Sequence, residues 1–323
     1  MKSAGIFLLF VSIMYLSVET CEAQGLFRKK SSAAKAASDL KKRKKEAREG
    51  NAFNAEQPFG SAPDYRRDDQ LWSSETAYTA LPNTGNISIA TPSRYGIGNN
   101  FELSTMLPLN YLVPNLILKK SYPTAKLLIA HRHALYTPTI GFNWAQNNGY
   151  NAVVADSVNI PAILSLRNEL IVSYPIGANP DCGNGQPYLI LTGGIALDAG
   201  FSLEENNLTH IDEHILGSRS STLTGQGVVL SARLRVDGYL NNMMAIEGDI
   251  KAFASNSIAR FTLEQHTGLH IFLMRNFSFT VGYIASCGHF EKSNFALLPY
   301  ADLSIYFGTK PHRQFGLFKH GMF

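Results

Sequence analysis

Residues 228–274 read VVLSARLRVDGYLNNMMAIEGDIKAFASNSIARFTLEQHTGLHIFLM, and the periodicity of this stretch decides the fold. Val228, Leu230, Ala232, Leu234 and Val236 alternate with Val229, Ser231, Arg233, Arg235 and Asp237. After a turn at 238–242, Met244, Ile246, Gly248, Ile250 and Ala252 alternate with Ala245, Glu247, Asp249, Lys251 and Phe253. A third run sets Phe261, Leu263, Leu269, Ile271 and Leu273 against Arg260, Thr262, Glu264, His266 and His270. Successive side chains of a strand point to opposite faces, so each strand has one apolar face and one charged face.

Alternation alone fits a soluble sandwich as well as a membrane barrel. Length separates the two. The runs reach roughly 12 residues, beyond the ~5 to 6 of ordinary strands and enough to cross a bilayer at a tilt. The chain is 45% hydrophobic and 17% charged with a net charge of +4, a balance expected when half of each strand is polar. Beyond the N-terminus no run of ~18 apolar residues offers a helical span. The expected fold is all-β: a transmembrane antiparallel barrel of about twelve strands, with ten or fourteen as alternatives. Strands are expected near 74–81, 86–97, 101–107, 111–120, 125–136, 161–175, 187–203, 219–237, 243–255, 258–275, 277–288 and 295–309. Long connections fall after the fifth and seventh strands and short turns after most even-numbered ones, the asymmetry of outer-membrane barrels, whose short turns and termini are periplasmic.

Residues 1–23 read as a secretory signal, with Lys2, an apolar run from Ile6 to Val18, and cleavage after Ala23. The alternative, lipidation at Cys21, is disfavoured by Glu19 and Thr20. Cleavage leaves Cys182 and Cys287, which export would allow to pair or to stay free thiols. Residues 24–73 form a basic arm and linker. Ten Lys or Arg residues lie between 28 and 48 among alanines, with no apolar stripe to pack on a core. A helical or disordered solvated arm is expected. It suits an anionic periplasmic partner, with nucleic acid disfavoured by location, or serves only as a linker. The barrel is expected over 74–310, and 311–323 as a C-terminal tail.

Three stretches carry a resemblance: SRYGIGNNFEL at 93–103, residues 104–120 with Pro114 and Asn115, and the terminal strand from Phe295 to Phe307. With the Ala-Gln cleavage site they resemble an outer-membrane β-barrel family of the Bacteroidota type, and the terminal Phe323 resembles the assembly signal of bacterial outer-membrane barrels. The resemblance covers about 35 residues closely. It implies outer-membrane location and barrel fold, and no chemistry. Gly96, Gly98, Asn99 and Asn100 suit a tight hairpin turn.

The residues expected to line the lumen are Arg94, Glu102, Lys119, Arg167, Glu169, Arg233, Arg235, Asp237, Glu247, Asp249, Lys251, Arg260, Glu264, His266 and Asp302. Pairing across the 238–242 turn puts Arg233 opposite Glu247 and Arg235 opposite Ala245, so charges of both signs offset each other in the wall. His131 and His133 share a strand face without the ligands that a metal site needs, and no metal or cofactor is expected. His266, Glu264 and Ser231 suggest a nucleophile beside a base, but they belong to the inward set, whereas a lipid-cutting barrel works on its outer face; no enzyme is expected. The leading function is a small-solute pore or uptake channel among outer-membrane lipid. The alternatives are a non-conducting barrel that recruits partners through its basic arm, and a lipid-modifying enzyme.

Overall fold

The computed structural model describes residues 72–308 apart from 125–126, 151–152, 155–157, 177–186, 188, 212–213, 242–243, 257–259, 275–276 and 291–292. The expected signal sequence, the arm at 28–48, the tail at 311–323 and Cys182 lie outside the described residues. Cys287 is an exposed free thiol near the end of its strand.

Twelve antiparallel strands close into a barrel, each bonded to its sequence neighbours and the first to the last. They are β1 (Thr84–Ser88), β2 (Ser93–Gly98), β3 (Phe101–Thr105), β4 (Asn115–Pro123), β5 (Leu128–Tyr136), β6 (Ile163–Ile176), β7 (Leu189–Ser202), β8 (Gln226–Asn241), β9 (Met244–Ser255), β10 (Phe261–Met274), β11 (Phe277–Gly288) and β12 (Phe295–Gly308). Closure leaves no open edge, since β1 pairs with β12 through Thr84↔Gly308 to Ser88↔Ser304 and with β2 through Gly85↔Tyr95.

The total of twelve is reached by a different partition at the N-terminal side. Residues 74–81, expected as the first strand, form no strand. Residues 86–97, expected as one strand, fall into β1 and β2 around a turn at 89–92, where Asp302 accepts hydrogen bonds from Ile89 N (2.9 Å), Ala90 N (2.7 Å) and Thr91 Oγ1 (2.6 Å). An inward carboxylate from β12 therefore makes the turn that no Gly or Asn signals. Residues 108–111, between β3 and β4, form a 3-10 turn. Its neighbourhood exposes Leu107, Leu109 and Tyr111.

The faces divide as the alternation predicts. On β8, Leu230 and Leu234 are 50% and 72% exposed, while Ser231 and Arg235 keep 5% and 6%. The register differs, however. Arg233 pairs with Lys251, Arg235 with Asp249 and Asp237 with Glu247. The expected turn at 238–242 is not where β8 ends: the strand continues through a bulge between Tyr239 and Asn241, and β9 begins at Met244. A later turn slides the partner residues by four, preserving the facing and changing every cross-strand pair.

Loops after odd-numbered strands gather at one end of the barrel. Two of them are long. The β5–β6 connection carries helix α1 (Thr139–Asn147), and the β7–β8 connection carries helical turns at His214–Gly217 and Ser220–Leu223. They share a small apolar core of Phe142, Val154, Ile163, Leu208 and Ile211. At the opposite end the β2–β3 turn uses Gly98 (φ +118°), Asn99 (+51°) and Asn100 (+61°), the left-handed conformations of a tight hairpin.

Candidate functional site

The site is the barrel interior, and the chain itself fills much of it. Residues 72–80 precede β1 and lie inside, with Thr76 and Ala77 at 0% exposure. This is the stretch expected as a first strand near 74–81. It cannot be one, since its backbone is bonded to side chains of the wall instead of to a neighbouring strand. Lys119 Nζ donates to the carbonyls of Ser74 (3.1 Å), Thr76 (3.2 Å) and Tyr78 (2.6 Å). Arg94 donates to the carbonyl of Trp72. Ala77 N donates to Ser173 Oγ at 2.9 Å and Ala80 N to Glu102 Oε2 at 2.7 Å. The segment turns at Ser73–Thr76, where Thr76 N donates to Ser73 O. It leaves past β2 at Gly96, where a Cβ would stand 2.1 Å from the Leu81 carbonyl oxygen. Gly96 thus serves close approach of backbone, not the left-handed turn expected of it.

Glu75 sits near the tip of this inserted segment and ties it to two strands of the wall. Its carboxylate accepts from Arg132 Nη1 (2.8 Å) on β5 and from Arg233 Nη1 (2.6 Å) on β8. The same two arginines bind Glu169 of β6 through their Nε atoms, at 2.9 and 2.7 Å. Arg167 adds a bond to Asp198 at 2.8 Å. Room for the Arg233–Glu169 pair comes from Gly194 on β7, whose Cβ would stand 2.8 Å from Arg233 Nε. Buried charges are retained at low cost only when paired and hydrogen-bonded like this.

Two further clusters lie along the inner wall. Arg94 and Lys119 share Glu102, at 2.6 and 3.2 Å. Arg235 binds Asp237 (2.7 Å), Asp249 (2.9 Å) and Glu247, while Tyr300 donates to Glu247 at 2.8 Å and His270 Nε2 lies 3.1 Å from it. Glu247 therefore belongs to Arg235, and Arg233 to Glu75 and Glu169.

From the long-loop end a second segment reaches inward. Ser218, Ser220, Ser221 and Thr222 are fully buried. The Thr222 carbonyl accepts from Ser165 Oγ at 2.7 Å, and Ser218 Oγ donates to Glu264 Oε1 at 3.0 Å. His266 Nε2 is 3.3 Å from the other oxygen of Glu264, and Arg219 packs over the Phe253 ring at 5.2 Å. In this serine–carboxylate–histidine order the carboxylate stands between hydroxyl and imidazole, so the imidazole does not meet the hydroxyl it would have to deprotonate. Ser231 lines a cavity elsewhere on β8.

Of the residues expected inside, Arg94, Glu102, Lys119, Glu169, Arg233, Arg235, Asp237, Glu247, Asp249, Glu264 and Asp302 are buried, and Arg167, Lys251 and His266 are partly buried in the same interior. Arg260 is the exception. It lies before β10, in the turn after β9, and is exposed, because β9 ends at Ser255 and the turn is longer than expected. Sequence reading missed Arg132, Glu75 and Asp198. Arg132 is hard to read because it is the one charged residue on an inner face otherwise of Leu128, Ala130, Ala134 and Tyr136, while the polar His131 and His133 point outward and exposed, with His133 Nδ1 2.6 Å from Asn168 Oδ1. Among the described residues no group of three or more His, Cys, Asp or Glu could hold a metal ion.

No family model matches the chain. No curated protein matches it either. Similar solved structures include the outer-membrane OmpT of Vibrio cholerae, 8% identical with a TM-score of 0.38 over 67% of this chain and 64% of that one. The anion-selective porin from Comamonas acidovorans is 8% identical with a TM-score of 0.33 over 67% and 58%. The outer membrane channel DcaP of Acinetobacter baumannii is 8% identical with a TM-score of 0.33 over 78% and 70%. The chain spans less than two thirds of the first two. At these TM-scores the likenesses bear on neither solute nor activity.

Proposed function

We propose that this chain is a barrel of the outer membrane of a Gram-negative bacterium, a small-solute pore held shut by residues 72–80. The outer wall supports the membrane placement: β4 to β12 have nine or more residues each, the length that crosses a bilayer at a tilt, and present leucine and isoleucine outward. Both termini of the barrel lie at the short-turn end, which we assign to the periplasm together with the basic arm. The observation that carries the closed-pore reading is the way the inserted segment is held. It meets the wall through carbonyl oxygens, Glu75 and serine hydroxyls, so the wall beneath it is hydrophilic and would hydrate when the segment moves.

The filled interior also favours a second reading, a non-conducting barrel that presents the 28–48 arm to an anionic periplasmic partner. Planar-bilayer recordings on the Glu75→Gln variant separate the two. Loosening the tip raises the frequency of open events above the nearly silent wild type if the segment is a gate. A variant that is less stable but equally silent contradicts the pore and supports the anchoring barrel.

A further inference from the structure

Between the segment that enters from one end and the loop that enters from the other lies a cavity of about 120 Å³. Five cationic side chains line it, Arg132, Arg167, Arg219, Arg233 and Lys251, against two carboxylates, Glu75 and Glu169. Those two carboxylates are taken up by Arg132 and Arg233. Asp198, Asp249 and Glu264, the partners of Arg167, Lys251 and Arg219, are not part of the lining. They offset charge from behind and leave the chamber surface cationic.

Two of the five are short of hydrogen bonds. Lys251 has three N–H donors, and its nearest carboxylate oxygen is Asp249 Oδ2 at 3.7 Å, beyond hydrogen-bond length. Arg219 has five donors, and its nearest carboxylate is Glu264 at 4.0 Å, with its plane on the Phe253 ring. By contrast Arg94, Arg132, Arg233 and Arg235 each make at least one carboxylate bond of 2.9 Å or less. At ~30 Å³ per water in the liquid, the cavity has room for about four waters or for one small tetrahedral or planar oxyanion. The Arg219 side chain is 34% exposed, so solvent reaches this wall.

We propose that this chamber binds a small multivalent oxyanion, of the phosphate or dicarboxylate class, through Lys251 and Arg219 with Arg167 beside them. A guanidinium offers a two-pronged donor set to such an anion and an ammonium offers a point charge, the pairing that oxyanion sites commonly combine. The anion would bridge the wall at β9, through Lys251, and the capping loop, through Arg219. Its site is independent of whether the barrel conducts.

Full-length protein refolded in detergent is titrated calorimetrically with inorganic phosphate and, separately, with malonate, at ionic strength held constant with sodium chloride. Saturable binding of at least one is expected, and which one binds tells phosphate from carboxylate chemistry. Lys251→Met and Arg219→Gln should each weaken it about tenfold or more, the factor that losing one charge-assisted hydrogen bond implies. Heat-resistant migration on gels reports folding of each variant. Should Lys251→Met fail to fold, Arg219→Gln, a side chain at the partly exposed cap, decides the matter alone. Absence of saturable binding to the wild type, or binding unchanged in folded Arg219→Gln, overturns the proposal.

Discussion

Glu75 holds two arginines from different strands, one on each carboxylate oxygen, so an amide in its place offers an acceptor to one arginine and an N–H to the other. Breaking a fully buried pair costs about 3–5 kcal/mol. The Glu75 side chain retains 21% exposure, so water softens the loss, and Glu75→Gln is expected to cost ~2–3 kcal/mol in the denaturant midpoint of refolded protein. The register change makes a second, sharper statement at this scale. In double-mutant cycles Arg235 and Glu247 should couple by about 1 kcal/mol or more, whereas Arg233 and Glu247 should be additive within ~0.5 kcal/mol. The opposite pattern restores the pairing read from the sequence. That pairing fails because Gly238 looks like a turn residue, while β8 runs on to Asn241 and so shifts each partner on β9 by four.

Strand β8 shows how much is legible at the level of an element. Its alternation gives the facing of every residue, since one apolar face must be buried in lipid or a core whatever the register. Replacing Leu230 by Arg should cost ~2–4 kcal/mol on insertion into bilayers, and the same change at Leu203, just past the end of β7, close to ~0–1. Equal costs would contradict the outward assignment of Leu230. The elements that were not legible share a physical trait. Residues 72–80, the 89–92 turn and the 218–224 loop take their hydrogen bonds from distant side chains, Lys119, Asp302 and Ser165 among them. Local propensity carries no trace of such bonds, so the segment read as a strand and the turn as part of one. Within the candidate site, Arg132 was obscured because it is the one charged residue on its inner face, while His131 and His133 make the outer face of β5 polar. The basic residues at 28–48 have no apolar face, and deleting 28–49 is expected to leave heat-resistant migration of the folded barrel unchanged; loss of that migration would make the arm part of the barrel.

At the scale of the whole molecule, a closed wall with an apolar outside follows from strand length and period, and what that wall encloses does not. Inward charges of both signs are compatible with a water-filled channel and with a packed interior, and the difference lies in which chain segments enter. Here one enters from each end, so the barrel is filled with polar backbone and paired charges instead of apolar side chains. The segment at 72–80 is held mostly by bonds to charged side chains, about 1.5–3 kcal/mol each, and its removal need not undo the sheet, whose ladder is continuous without it. The most direct measurement is single-channel conductance in planar bilayers of the full chain beside a chain lacking residues 72–80, with heat-resistant migration confirming that both are folded. The closed-pore account predicts a nearly silent full-length protein and a steady ohmic conductance from the shortened one. A folded, shortened barrel that passes no current, or a full-length barrel that is already open, would contradict it.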